Sequence, residues 1–265
     1  MKPFLLLATR EVDLAADDEY EALLRFAGLD ESELQRFRME QAPLGPLRLD
    51  DWSGIILGGG PFNVSDVDKS RTQVRVEAEI AVLLDEIVVR DFPFLGACYG
   101  IGTLGVHEGA VVDRTFSEPV GATTITLTEE GRADPLLADL PDTFDAFLGH
   151  KEAIRELPGH AVNLASSAAC PVQAFRVGTR VYATQFHPEL DIPGIQTRID
   201  VYRHAGYFAP DEAETLKERA RASTVLHPPA ILRRFVELFA DRAATGVSRP
   251  RPEQPAHSPR PGRTG

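Results

Sequence analysis

The 265-residue chain is long enough to bury a full core and has the size of one α/β domain with an appendage. No apolar run approaches the length of a membrane span, and Phe4–Ala8, which leads into Arg10 and Glu11, is too short for a signal-peptide core. A formal charge of -12 argues against a general nucleic-acid binder, because neutralising phosphates requires clustered Lys and Arg.

In chain order, Phe4 to Ala8 reads as a first buried strand. Asp17 to Ala27 reads as a helix with acids near its start and Gly28 at its end. Asp30 and Glu33 have the spacing to cap a second short helix. Ile55-Ile56-Leu57 is a compact apolar strand that empties into the loop Gly58-Gly59-Gly60-Pro61. Ile80, Leu83, Leu84, Ile87 and Val88 recur at helical spacing and lead to a short apolar run ending in Phe94-Leu95. Strand, helix and strand in that order imply a parallel pair.

After Ile101 to His107, expected as a helix, short strands are expected at Val111-Val112, Thr123–Leu127, Phe144–Leu148, Ala161–Ala165, Val172–Val177 and Val181–Phe186. The last two form a hairpin across Gly178-Thr179. From Gly194 the pattern becomes helical, over Gln196–His204, Pro210–Ala222 and Pro229–Ala244. Pro, Arg and Gly dominate Ser248–Gly265, an expected disordered tail.

The chemistry centres on Gly96-Ala97-Cys98-Tyr99-Gly100. Gly-x-Cys-x-Gly after a buried strand suits a sharp strand-to-helix turn that exposes its central side chain, with glycines where backbone crosses backbone. Cys98 then lies at a helix N-terminus, whose free N–H groups and dipole favour a negative sulfur. A nucleophile of this kind needs a base, a group to orient the base, and donors for the developing oxyanion. His187, at the end of a strand before Pro188, is the candidate base. Glu189 is the candidate orienting group. Backbone N–H groups of Tyr99 and of the Gly59-Gly60 loop are the candidate donors. The only other cysteine, Cys170, has no Cys-x-x-Cys partner, so neither a disulfide framework nor a metal site is expected. A reducing cytoplasm fits best.

Over roughly Phe4 to Asp191, the chain resembles the class I glutamine amidotransferases, most closely the glutaminase domain of GMP synthase and its stand-alone relatives. The resemblance rests on Ile55–Pro61, Gly96–Gly100, the stretch Ser166–Phe175 with Cys170-Pro171-Val172-Gln173-Ala174-Phe175, and Gln185-Phe186-His187-Pro188-Glu189. It implies Cys98 as nucleophile, His187 as base and then acid, Glu189 as the residue that orients it, and Gly60 and Tyr99 as oxyanion donors. It further implies a γ-glutamyl thioester, no cofactor, and glutamine or another γ-glutamyl compound as substrate. Gly59, His150 and Phe186 are weaker candidates for the substrate pocket. Relatives usually carry Cys-x-Gly-x-Gln, and here Gly102 stands where that glutamine would be. No ATP-binding loop of the Gly-x-x-x-x-Gly-Lys-Ser/Thr type occurs, so the expected partner is a synthetase or acceptor protein that activates the ammonia acceptor.

The expected architecture is a doubly wound, mostly parallel flavodoxin-like sheet over residues 1–193, with an antiparallel strand addition. A helical extension spans 194–247 and a tail 248–265. Its pocket should lie at the carboxyl ends of the strands that carry Gly60, Cys98 and His187. Competing readings are a γ-glutamyl peptidase or amidohydrolase of the same fold, a non-catalytic interaction module, and a dinucleotide site at Gly100-x-Gly102-x-x-Gly105. The last lacks the acidic residue that should end the following strand.

Overall fold

The computed structural model describes residues 1–241, which leaves the end of the predicted last helix and the predicted tail outside the described residues. The elements run β1 (Phe4–Ala8), α1 (Asp13–Ala27), β2 (Leu34–Arg38), β3 (Gly54–Leu57), α2 (Arg71–Val89), β4 (Phe94–Ala97) and α3 (Tyr99–His107). They continue with β5 (Val111–Asp113), β6 (Glu118–Leu127), α4 (Glu129–Ala133), β7 (Thr143–His150), β8 (Ala153–Glu156), β9 (Val162–Ser167), β10 (Ala174–Val177) and β11 (Val181–Thr184). The helices α5 (Ile192–Val201), α6 (Ala213–Ala222) and α7 (Pro229–Phe239) close the described chain.

One sheet in the order β2-β1-β3-β4-β11-β10-β9-β6-β7 organises the molecule. Its first five strands are mutually parallel, and β10, β9, β6 and β7 extend it antiparallel beyond β11. The inner parallel strands β1, β3, β4 and β11 are short and apolar because both of their faces are covered. Leu23 and Ala27 of α1 share a core with Ile231, Leu232 and Phe235 of α7 on one face. Val76, Ile80, Leu84 and Ile87 of α2 pack with Ile101 and Leu104 of α3 on the other.

The helices after Gly194 are tied into this body. Phe235 sits with its ring centroid 5.8 Å from that of Phe4 in β1, and both are fully buried. Ile195 and Ile199 of α5 pack with Phe147 of β7 and with Ala213 and Ala220 of α6.

Several local readings are corrected. Residues 30–33 form a turn, not a helix: the Asp30 carboxylate accepts from Ser32 and Glu33, and the Glu33 carboxylate accepts from the Asp30 N–H. The turn feeds β2, an edge strand in which only Leu34 is buried. The β5 segment leaves the main sheet to pair antiparallel with β8. Helix α5 starts at Ile192, four residues before the expected position, because Asp191 accepts from the Gly194 N–H as an N-cap.

Candidate active site

Strand β4 is buried along its whole length and ends one residue before Cys98. Cys98 has φ 51° and ψ −91°, in the half of backbone space that L-residues rarely enter. Such a conformation costs on the order of 1–3 kcal/mol and persists only where the surroundings enforce it. Here the Cys98 N–H donates to the Thr184 carbonyl at 2.8 Å, and α3 begins at the next residue. The flanking glycines are needed: a Cβ on Gly96 would meet the Gly100 backbone at 2.9 Å, and one on Gly100 would lie 3.3 Å from the Leu57 carbonyl oxygen.

Strand β11 lies beside β4 with Thr184 opposite Ala97, so the residues after Thr184 emerge next to the turn that carries Cys98. Phe186 turns into the core, edge-on to Phe144 at 5.7 Å, fully buried and away from the cavities at Cys98. The His187 N–H donates to the Phe147 carbonyl at 3.0 Å. Its ring Nδ1 lies 2.7 Å from Glu189 Oε1, and the ring borders the same cavity as Cys98. With Nδ1 engaged by Glu189, Nε2 is the nitrogen left for the sulfur.

The glycine loop after β3 fits against these groups. A Cβ on Gly59 would lie 2.6 Å from both His187 Cε1 and Arg10 Nη2, and one on Gly60 would collide with the Thr9 hydroxyl. Gly60 and Tyr99 both border a small cavity at Cys98. As the first residue of α3, Tyr99 has an N–H with no acceptor within the helix.

Burial works against a charged imidazole at His187. The negative charge of Glu189 and its hydrogen bond to the ring, with help from the neighbouring Cys98 side chain, overcome it and raise the His187 pKa from 6.5 to about 10. Burial likewise works against an ionised Glu189, yet the facing imidazolium, with help from Arg198 and Arg10, holds its pKa below the usual carboxylate range. The pair therefore rests as imidazolium and carboxylate.

Behind it lies a buried charge network that the sequence did not signal. Arg10 Nε pairs with Glu19 at 2.9 Å, Arg10 Nη1 donates to the Tyr202 hydroxyl at 3.0 Å, and Arg198 reaches Asp18 at 3.6 Å. Arg10, Glu19 and Arg198 are each at most 6% exposed. Charged residues of this kind normally read as a solvated helix face, and only the folded chain shows otherwise.

Two cavities meet at Cys98. One opens on the His187 side and is walled by Val120, Leu148, Ile195, Ile199 and Phe208. The other lies on the Tyr99 side and is bordered by Asn63, His150, Glu152 and Gln185. His150 borders this second cavity, but both its ring nitrogens are engaged, Nδ1 with the Glu152 carbonyl and Nε2 with Glu118.

Potential metal ligands come together among the described residues at Glu118, His150 and Cys170, within 4.8 Å of one another. The group satisfies itself. Glu118 accepts from Ser167, His150 and Gln173, and the Cys170 thiol donates to the Val172 carbonyl at 3.4 Å. Burial pushes the Cys170 thiol up to about 11, so it stays protonated and is a poor metal ligand.

Comparison with known proteins agrees with this geometry. The model of the family glutamine amidotransferase class-I matches residues 31–196. The glutamine-hydrolyzing GMP synthase subunit of Thermoplasma volcanium is 32% identical over 146 residues, covering 54% of this chain and 66% of that protein. The glutamine-hydrolyzing GMP synthase of Borrelia garinii subsp. bavariensis is 28% identical over 148 residues, 56% of this chain and 26% of the longer protein. The matched region thus spans about two-thirds of the Thermoplasma protein and a quarter of the longer synthase. Among solved structures, a glutamine amidotransferase from Thermotoga maritima shares the fold with a TM-score of 0.69 at 19% identity, over 91% of this chain and 99% of that one. A putative GMP synthase subunit protein from Thermoplasma acidophilum matches with a TM-score of 0.62 at 21% identity, over 91% and 95% of the two chains. A family match over more than half the sequence, joined to this constellation on this sheet, establishes that the chain belongs to the class I glutamine amidotransferase family.

Proposed function

We propose that the chain hydrolyses the side-chain amide of glutamine through a thioester on Cys98 and supplies the ammonia to an acceptor on a partner protein. The observation that carries this reading is the buried His187 ring, 2.7 Å from Glu189, in a cavity shared with Cys98 on its strained turn. The Cys98 sulfur attacks the amide carbon, and the carbonyl oxygen, now negative, is held by the N–H groups of Gly60 and Tyr99. The His187 imidazolium gives its Nε2 proton to the leaving nitrogen, the C–N bond breaks, and ammonia departs. Water then attacks the thioester, His187 takes the proton from that water, and the C–S bond breaks to release glutamate and the sulfur. Glu189 keeps the ring oriented and its charge balanced through both halves.

The partner is a synthetase-type protein. The Thermoplasma volcanium relative is named as one subunit of GMP synthase, which fits an ammonia-supplying role. The reaction would take place in the cytoplasm, beside such a partner. Assaying glutamate release from glutamine, with the Cys98→Ala protein as blank, tests the hydrolysis; equal release by both proteins would reject it. A second reading, hydrolysis of N-substituted γ-glutamyl amides, is favoured by the apolar walls of the cavity on the His187 side. That is the side on which the leaving nitrogen is protonated.

A further inference from the structure

We infer that Arg198, with Arg10 near it, forms an anion subsite on the leaving-group side of Cys98, and that the subsite binds a carboxylate carried by the departing amine. The substrate class is then γ-glutamyl amides of amino acids, so that the chain releases an amino acid from these as it releases ammonia from glutamine. This rests on the hydrolytic role of Cys98 proposed above and deepens the reading in which the scissile nitrogen carries a substituent.

Three observations converge. The first is the charge of the cavity on the His187 side. Among the described residues, Arg10, His187 and Arg198 are the charged side chains that line it, and all three are cationic, since the His187 ring rests as an imidazolium. The neighbouring carboxylates of Asp18, Glu19 and Glu189 do not line it. Positive charge around an otherwise largely apolar cavity calls for an anion.

The second is the hydrogen bonding of Arg198, which is 6% exposed. Its Nη1 donates to the Ala15 carbonyl and pairs with Asp18, whereas Nε and Nη2 are buried with no hydrogen-bond acceptor. Glu19 Oε1 stands 3.9 Å from Nη2, beyond hydrogen-bond reach, and already accepts from Arg10 Nε. Nε and Nη2 share one edge of the guanidinium, and two parallel N–H groups on one edge match the two oxygens of a carboxylate. Buried donors left unused are costly, so a ligand that completes them is favoured.

The third is position. Arg10 Nη2 and His187 Cε1 each lie 2.6 Å from where a Cβ on Gly59 would stand, so the guanidinium neighbours the ring that protonates the leaving nitrogen. In an α-amino acid the carboxylate carbon lies only about 2.5 Å from the nitrogen. A leaving amine held at His187 thus carries its carboxylate within the arginine-lined cavity. Arg198 sits on α5, and both arginines fall outside residues 31–196, so the subsite is built from parts of the chain beyond the family match.

The reaction is the one already described with a larger leaving group. The sulfur bonds to the γ-carbonyl carbon, His187 gives its proton to the nitrogen, the C–N bond breaks, and the amino acid departs. Water then cleaves the C–S bond, giving its proton to His187 and leaving glutamate and the free sulfur. Arg10 and Arg198 hold the leaving group and make no bond.

The test measures binding and turnover separately. The probes are γ-glutamylglycine and γ-glutamylglycinamide, which keeps the size and loses the charge at the leaving end. Both are titrated calorimetrically into Cys98→Ala, which binds without forming a thioester, and into Cys98→Ala/Arg198→Met. The free carboxylate is expected to bind about tenfold or more tightly than the amide in the first protein, the scale of a hydrogen bond between charged groups, and within about threefold in the second. The same ratio is read in kcat/KM with intact Cys98. Arg198→Lys is expected to keep part of the preference, as charge without the fork, and serves if Arg198→Met does not fold. A third probe, γ-glutamylglycine amidated on the α-carboxyl of its glutamyl residue, is expected to lose affinity equally with and without Arg198. A loss confined to proteins that keep Arg198 would put the subsite at the acyl end and overturn the inference. Equal binding of γ-glutamylglycine and γ-glutamylglycinamide to Cys98→Ala would also overturn it and leave Arg198 as a partner of Asp18 and Glu19. So would hydrolysis of glutamine with no release of glycine from γ-glutamylglycine, a result that keeps the proposed function. A carboxylate preference in binding, with no hydrolysis of any probe or of glutamine by the intact protein, would instead reject the proposed function and keep the subsite.

Discussion

Replacing Glu189 with Gln is the most revealing perturbation of the proposed dyad, since it keeps the shape and one hydrogen-bond acceptor while removing the charge. The charge of Glu189 is the largest influence raising the His187 pKa, which stands at about 10 against an ordinary 6.5. A pair of unit charges about 4 Å apart at an effective dielectric near 20 interacts by about 4 kcal/mol, equivalent to about three pH units. Glu189→Gln should therefore lower the His187 titration by on the order of three units, and burial pushes in the same direction. The assay is a 15N NMR titration of histidine-labelled protein, with the His187 resonances assigned by substitution. In the wild type the His187 ring should stay protonated well above neutrality and titrate near 10; in Glu189→Gln it should titrate near neutrality. A Glu189→Gln titration within about half a unit of wild type would refute the electrostatic account of this pair.

The remaining predictions concern the strained turn, the glycine loop, thiol reactivity and stability. Cys98→Gly should abolish turnover and raise the melting temperature by about 2 °C, since glycine adopts φ 51° without strain, and calorimetry on the two proteins decides it. Gly59→Ala should reduce kcat by about a hundredfold, because the new methyl group enters the space of His187 Cε1 and displaces the ring. Turnover within about twofold of wild type would contradict the placement of that loop. Iodoacetamide followed by peptide mass spectrometry should label Cys98 rapidly and leave Cys170 unmodified, because Cys170 is 1% exposed and its thiol is pushed up to about 11. Slow labelling of both would favour the interaction-module reading. Stability should also depend on pH through the His187–Glu189 pair. His187 is raised above its unfolded value, so its contribution is complete below pH 6.5 and lost as pH rises through about 10. Glu189 is depressed below 4.5, so its contribution is complete above pH 4.5 and lost on acidification. The melting-temperature gap between wild type and Glu189→Gln should thus be widest between pH 4.5 and 6.5 and shrink toward both extremes.

The parts legible in the sequence are those where backbone geometry dictates residue type. Gly96 and Gly100 stand where added Cβ atoms would meet backbone at 2.9 and 3.3 Å, and Pro188 disfavours a helical backbone at His187, so both motifs announce their shape. The inner parallel strands were legible because burial on both faces makes them continuous apolar runs. Strand β2 was not, because its side chains Gln35, Arg36 and Arg38 are polar and it sits at the sheet edge. Asp30 and Glu33 misled for a physical reason: the reciprocal bonds of a capping box also close a turn with no helix behind it.

The motifs that carry Cys98, His187 and Glu189 were legible because each is short and local. Arg10 and Glu19 meet Arg198 from the far end of the described chain, and none of the three leaves a mark of its burial in the sequence, where each looks like surface charge.

The central claim is that the Cys98 sulfur carries the acyl group. Acid-quenching the protein during turnover of glutamine, followed by peptide mass spectrometry, should find one γ-glutamyl group on the peptide containing Cys98 and none in Cys98→Ala. Ammonia release at full rate with no acyl group on Cys98, or with the group on Cys170, would contradict it.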